Sequence, residues 1–209
     1  TILPENDELV ALTSVDPSIS FDLDQTLMRR VLDQASERIR TDLAEHPQAR
    51  VEIETTLAYT YQNLGDPERA RAHLESALDT ATRELGPDAL PTQIVVMELA
   101  NNLTHGGEPQ RAETLMRDNL PSAWKLSDQD PVLAPRMQSR LGWNLLQQGR
   151  VKDALPLLQQ SHQALLERVG PEHQRTIDAG QYLAAGLARD SRLPEAITLL
   201  QDLVQRQTR

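Results

Sequence analysis

An all-α solenoid of stacked helical hairpins is the fold this sequence predicts, and three observations predict it. The first is a repeated turn: Gly65-Asp-Pro-Glu-Arg-Ala70, Gly107-Glu-Pro-Gln-Arg-Ala112, Gly149-Arg-Val-Lys-Asp-Ala154 and Ser191-Arg-Leu-Pro-Glu-Ala196 place their alanines 42 residues apart each time. The second is that other columns keep the same phase. Leu57, Leu99, Leu141 and Leu183 are followed by Ala58, Ala100, Gly142 and Ala184, then by Tyr61, Leu103, Leu145 and Leu187, and after the turn by Leu74, Met116, Leu158 and Leu200. A fixed period of this length marks a stack of supersecondary units that share a continuous core. The third is composition: aromatics are 3% of the 209 residues, too few to fill a sandwich or barrel, while Ala, Leu, Gln, Glu and Arg, all helix formers, dominate.

Residues 1–25 read as a linker or short helix. Residues 26–48, with apolar Leu27, Val31, Leu32, Ala35, Ile39 and Leu43, predict a helix that caps the first unit's apolar face. Four units follow, over about 49–90, 91–132, 133–174 and 175–209. Each first helix (helix A) is apolar at i, i+1 and i+4 and ends at a Gly that can adopt φ > 0 and close the helix. Each second helix (helix B) starts at Pro67, Pro109 or Pro194, or near Val151, because the missing proline N–H costs nothing in a first turn. Asp66 is placed to cap the B helix of unit 1. The Ala columns let helix backbones approach closely. In the second unit Leu126-Ser-Asp-Gln-Asp-Pro131 replaces the Leu85-Gly-Pro87 and Val169-Gly-Pro171 of units 1 and 3, and Pro121 falls mid-helix, predicting a kink or break near 120–122.

Charge and residue inventory remove several functions. With Cys 0, thiolate metal sites and cysteine nucleophiles are excluded. Lys+Arg 21 against Asp+Glu 31 gives −10, which disfavours nucleic acid as a partner. No apolar run approaches the ~18 residues of a membrane helix, so no membrane insertion is expected from this segment. The five histidines have no i, i+3 or i, i+4 pairing, and no phosphate loop follows a strand, so no enzyme, cofactor or metal is expected. His162 shares a column with Leu78, Leu120 and Val204 and reads as a packing residue. Trp124 reads as packing the broken helix, and the acid pairs Glu52/Glu54 and Asp22/Asp24 read as solvated surface. The chain opens on Thr1 rather than Met, which predicts a piece of a longer protein.

The unit-1 residues Leu57, Ala58, Tyr61, Gly65, Ala70, Leu74, Ala77 and Leu78 resemble the tetratricopeptide repeat, whose period is about 34 residues. The 42-residue spacing with Leu/Val-Gly-Pro after helix B is similar to the longer repeats of kinesin light chains. The resemblance covers about residues 50–209. It implies a right-handed superhelix, a partner-binding inner surface lined by A helices, and no catalysis. More loosely, Ser14-Val-Asp-Pro17 and the spacing to Val31-Leu-Asp33 resemble the segment that joins a membrane span to the repeats of bacterial transmembrane Ser/Thr kinases. That implies a sensor or docking role in a larger signalling chain, on the periplasmic side, with a cytoplasmic location as the alternative.

On the repeat pattern, the positions five and two before the first motif Leu, and two, five and six after it, should face inward. Read through the units, they are Glu52, Thr55, Tyr59, Gln62 and Asn63; Ile94, Met97, Asn101, Thr104 and His105; Arg136, Ser139, Trp143, Leu146 and Gln147; Asp178, Gln181, Ala185, Ala188 and Arg189. From these, Tyr59, Asn63, Asn101, His105, Arg136, Trp143 and Arg189 are the expected partner-binding residues. Asn side chains can pair with a peptide amide, Tyr and Trp give rigid apolar contact with a polar tip, and Arg can grip a carboxylate through two N–H groups. A protein or peptide ligand is therefore expected, with self-association through Ile197, Leu200, Leu203 and Val204 as the alternative. Chaperone-binding relatives carry Lys at inner positions, and this chain has none there, so a chaperone C-terminus is not an expected ligand.

Overall fold

The computed structural model describes residues 32–36, 38, 39, 42, 43 and 45–207. The expected linker at 1–25, the start of the capping helix with Leu27 and Val31, the pair Asp22/Asp24 and Ser14–Pro17 lie outside the described residues. Eight helices follow the leading segment: α1 (Pro47–Asn63), α2 (Pro67–Thr80), α3 (Leu90–His105), α4 (Pro109–Lys125), α5 (Leu133–Gln147), α6 (Val151–Val169), α7 (Gln174–Arg189) and α8 (Leu193–Gln207). A π-helical turn, Ala81–Leu85, extends α2. No strand occurs among the described residues.

The odd-numbered helices are the A helices and the even-numbered ones the B helices. Each packs on the next in sequence, and α1, α3, α5 and α7 also touch one another in succession. No B helix comes within 8 Å, Cα to Cα, of the next B helix. Closer approach on the A side means that the stack bends toward it, so the A helices occupy the short inner arc.

The turn columns show how the sequence closes each hairpin. Gly65, Gly107 and Gly149 have φ of 71°, 83° and 75°, and Ser191 takes φ 63° in the fourth unit. Behind each of them, the N–H groups of Asp66, Glu108, Arg150 and Arg192 donate to the carbonyls of Tyr61, Leu103, Leu145 and Leu187 at 2.9 Å. Those carbonyls belong to the motif column itself, so the helix-ending bond recurs with the repeat. Asp66 caps α2 as expected, accepting from the Arg69 N–H at 3.1 Å.

The leading segment is helical at 32–36, 38, 39 and 42, and Leu32 and Ile39 pack on the core. Its polar side is tied down as well. The Tyr61 hydroxyl donates to Asp33 at 2.7 Å, and Ser36 meets His73 Nε2 at 3.1 Å. The Ala columns are buried: Ala70, Ala112 and Ala154 are 0% exposed. Glycines continue that function within and between units. A Cβ on Gly142 would lie 2.7 Å from Leu158, and one on Gly186 would lie 3.1 Å from the same leucine.

Three expectations need correction. Of the kink or break expected near 120–122, the break is absent: helix α4 runs continuously from Pro109 to Lys125 through Pro121. The proline is exposed, and so is Arg117, whose carbonyl loses its helical donor. Pro156 is accommodated in α6 in the same way. Trp124 does not pack a break; it is 36% exposed and lies under the Arg168 guanidinium at 5.3 Å. Glu54 is not solvated surface but 2% exposed, held by Arg50 at 3.2 Å and by the Ser76 hydroxyl at 2.9 Å.

His162 is buried, as its column predicts, and its Nε2 has no hydrogen-bond partner. Burial pushes its pKa below the ordinary 6.5, the positive charge of Arg206 adds to this, and Asp202 opposes it. Below pH 6.5 the unfolded chain takes up a proton that the folded chain resists, so this contribution is complete above 6.5 and is lost as pH falls through it. The melting temperature followed by circular dichroism should therefore drop between pH 7 and pH 5, and His162→Leu should flatten that drop. An equal drop in the variant would assign the titration to other groups.

Candidate binding face

Four positions of each A helix, spaced i, i+4, i+7 and i+11, line the inner arc. In α1 they are Glu52, Thr56, Tyr59 and Asn63, and the corresponding sets begin at Ile94, Arg136 and Asp178 in α3, α5 and α7. The expected pattern included the column Thr55, Met97 and Ser139, but these are 9%, 0% and 3% exposed. They are covered within the stack instead; the Ser139 hydroxyl, for example, meets Ser161 of the same hairpin at 2.7 Å. Leu146 is likewise buried, and Thr104 accepts from Asn144 of the next unit at 2.8 Å. In the last unit the same columns, Gln181 and Ala188, are exposed because no described helix follows to cover them.

The structure gathers the expected site residues into three groups. Tyr59 and Arg136 converge on Glu98, which is 3% exposed and forms a 3.1 Å ion pair with Arg136. The Tyr59 pKa is pushed up to about 12, by burial first and then by the negative charge of Glu98. Burial lowers the Arg136 pKa and outweighs the opposing pull of Glu98, with the nearby charges of Arg140 and Arg175 acting in the same direction as burial. A small cleft, ≈ 20 Å³, opens beside it between Arg136, Ser139, Arg140, Arg175, Asp178 and Tyr182. That is room for about one oxygen atom of a water or a carboxylate. Arg175 is paired with Asp178 at 3.3 Å, and Arg140, half-buried, has no ion pair among the described residues. The Nε of Arg136 is buried with no partner.

The second group is aromatic. Trp143 stacks on Tyr182 with centroids 5.2 Å apart and planes inclined by 28°. The Arg189 guanidinium lies 5.7 Å from the Trp143 centroid and donates to the Leu146 carbonyl and, at 3.3 Å, to Gln147. Arg189 is therefore committed to the junction of units 3 and 4 and is not a free carboxylate grip, which corrects its expected role. The third group is a cleft of ≈ 370 Å³ lined by Gln62, Pro67, Asn101, Asn102 and His105. The His105 ring nitrogen Nδ1 contacts the Asn101 carbonyl at 2.8 Å. Asn63 stands exposed at the end of α1.

Glu98, Arg140, Tyr182 and Arg175 are the face residues that the sequence reading missed. The first three occupy one column, immediately before the first motif Leu. The signal for them was the i, i+4, i+7 spacing of a straight helical stripe, which includes that column and leaves out the one carrying Thr55. Among the described residues there is no group of three His, Asp or Glu placed to hold a metal, and no helix is long and apolar enough to cross a membrane.

The sequence profile of the tetratricopeptide repeat matches residues 55–88 and 136–175. These are the two units that end in Leu85-Gly-Pro87 and Val169-Gly-Pro171. Comparison with curated protein sequences found no match. Among solved structures, BtubC (BKLC) from P. vanneervenii is 14% identical, with a TM-score of 0.71 over 90% of this chain and 75% of that one. A set of nearly identical TPR-like repeats assigned to a kinesin light chain of Podospora anserina is 21% identical, with a TM-score of 0.63 over 90% and 95% of the two chains. A Rap protein solved in complex with competence and sporulation factor is 15% identical, with a TM-score of 0.70 over 90% of this chain and 51% of that one. At these identities the likeness is one of fold. Two units are tetratricopeptide repeats by sequence, and all four share the solenoid architecture.

Proposed function

We propose that this tetratricopeptide-repeat array is a non-catalytic docking module whose A-helix face binds an extended, acidic segment of a partner protein. The observation that carries the reading is the convergence of Arg136, Arg140 and Arg175 on one cleft of that face, with Arg140 lacking an ion pair among the described residues. A carboxylate entering there meets a half-buried guanidinium with no competing ion pair among the described residues. Tyr59 on one side and the Trp143–Tyr182 stack on the other offer apolar contact to flanking residues, and Asn101 can pair with a backbone amide. The likeness of fold to Rap, solved with competence and sporulation factor, supports the use of such a face for ligand capture.

The wider role we propose is that of the sensing or docking region of a larger bacterial signalling protein such as a Ser/Thr kinase, on the periplasmic side. Its support is the resemblance carried by Ser14–Pro17 and Val31–Asp33.

Selection of random 12-residue phage-displayed peptides on the immobilised chain tests the binding reading. Enriched peptides should carry Asp or Glu beside an apolar residue, and Arg140→Ala should weaken them about tenfold or more, the scale of a lost charge-assisted contact. Because Arg140 has no ion pair to lose, the melting temperature should hold. Enrichment of uncharged peptides, or equal binding by Arg140→Ala, would defeat the reading.

A further inference from the structure

Among the described residues, four of the seven exposed large hydrophobic side chains lie away from the inner arc, on α8. Ile197, Leu200 and Val204 are 53%, 43% and 59% exposed, and Leu193 lies one turn before them on the same stripe. Large side chains so placed on one helix face mark an interaction surface more often than solvent-facing accident.

The repeat itself says what fits there. Subtracting 42 from each number gives Leu155, Leu158 and His162 of α6, which are 8%, 0% and 8% exposed. Those three are covered by the glycines of α7. A Cβ on Gly186 would come within 3.0 Å of Leu155 and 3.1 Å of Leu158, and one on Gly180 within 3.2 Å of His162 Nε2. The α8 stripe is thus in register with an interface the chain already builds between α6 and α7. Its surroundings match that use: the open cleft of ≈ 610 Å³ along it is lined by Ile197, Leu200, Gln201, Val204 and Gln205, with no charged residue, in a chain of net charge −10.

We propose that the α8 stripe docks an apolar helix of a partner protein that presents a glycine opposite Ile197 and Leu200, as Gly186 of α7 stands against Leu155 and Leu158. A glycine is needed because Leu200 and its neighbours project where a partner's Cβ would otherwise sit. Among the described residues, no helix of a second copy of this chain offers an exposed glycine. Gly142, Gly180, Gly186, Ala58, Ala100 and Ala184 are all buried within their own stack. Two α8 stripes facing each other would set large aliphatic side chains against large aliphatic side chains.

The α7 segment supplies the probe: a fluorescein-labelled synthetic peptide of residues 174–189, titrated into the full chain and followed by fluorescence anisotropy. Saturable binding is expected. It should weaken about tenfold or more with Leu200→Glu, which places a charge in the apolar contact, and with a peptide carrying Gly186→Leu, which fills the space Leu200 needs. Val204→Ser, at an exposed position, gives a second and milder reading should Leu200→Glu perturb the fold by circular dichroism. Arg140→Ala should leave this binding unchanged, which separates the α8 stripe from the inner face. Lack of saturable binding, or equal binding by the chain and peptide variants, would overturn the proposal. So would loss of binding with Arg140→Ala, or a chain that sediments as a dimer dispersed by Leu200→Glu.

Discussion

Leu158→Ala is expected to destabilise the array by about 2–5 kcal/mol, the range for deleting a fully buried leucine side chain. Leu158 is 0% exposed and lies against Gly142 of its own hairpin and Gly186 of the next. A Cβ on Gly142 would collide with Leu158 at 2.7 Å and one on Gly186 would press on it at 3.1 Å, so the side chain fills the space that holds units 3 and 4 together. Alanine at 158 leaves that space empty, and rigid helix backbones on both sides limit its collapse, which places the loss toward the upper part of the range. Because each unit touches only its neighbours, the damage should concentrate in α7 and α8. Urea denaturation measures the total loss, and amide hydrogen exchange should show the last hairpin opening before the first. A loss under about 1 kcal/mol, a value typical of relaxed or surface sites, would mean that the two units are not joined through this residue.

Glu98→Ala should cost about 3 kcal/mol, the lower end of the range for breaking a buried ion pair by removing one partner. The lower end applies because the Arg136 side chain is 22% exposed and water can reach part of it, while that of Glu98 is 4% exposed. The cost comes from the orphaned guanidinium more than from the lost attraction. Accordingly, Glu98→Ala combined with Arg136→Met should recover most of the stability in urea, and failure to recover would place the cost elsewhere. A second readout is independent of stability. Glu98 is one of the causes that hold Tyr59 at about 12, so its removal should bring the Tyr59 ionisation down toward the ordinary 10.0 in an ultraviolet pH titration. An unmoved titration would show that the carboxylate does not act on the phenol.

How far the site was legible depends on what each column touches. Tyr59 and Arg136 were readable as inner-face residues because their positions on a single helix place them there. What they do was not readable, since both act on Glu98 of a different unit, 39 and 38 positions away. Arg189 shows the same limit: its chemistry fits a carboxylate, yet the next hairpin offers the Leu146 carbonyl and the Trp143 ring first. Met97 and Ser139 were misplaced because a helical wheel assigns a direction but not the neighbour that arrives there. Pro121 pointed to a break that does not occur, and it stands, with Arg117, on the exposed side of a continuous helix.

Local rules were enough for the architecture. Turn residues, motif columns and alanine spacing are properties of consecutive residues, and hydrogen bonds within about six positions carry them out, so the chain's order alone determined four hairpins and their ends. The meeting of Arg136, Arg140, Tyr59 and Glu98, and the exposure of the α8 stripe whose counterpart on α6 is covered, were decided by stacking. Those contacts join residues nearly a full repeat apart, or record whether another helix lies beside the face. Whether a polar or apolar side chain ends up paired, covered or free depends on the neighbour that packing brings to it.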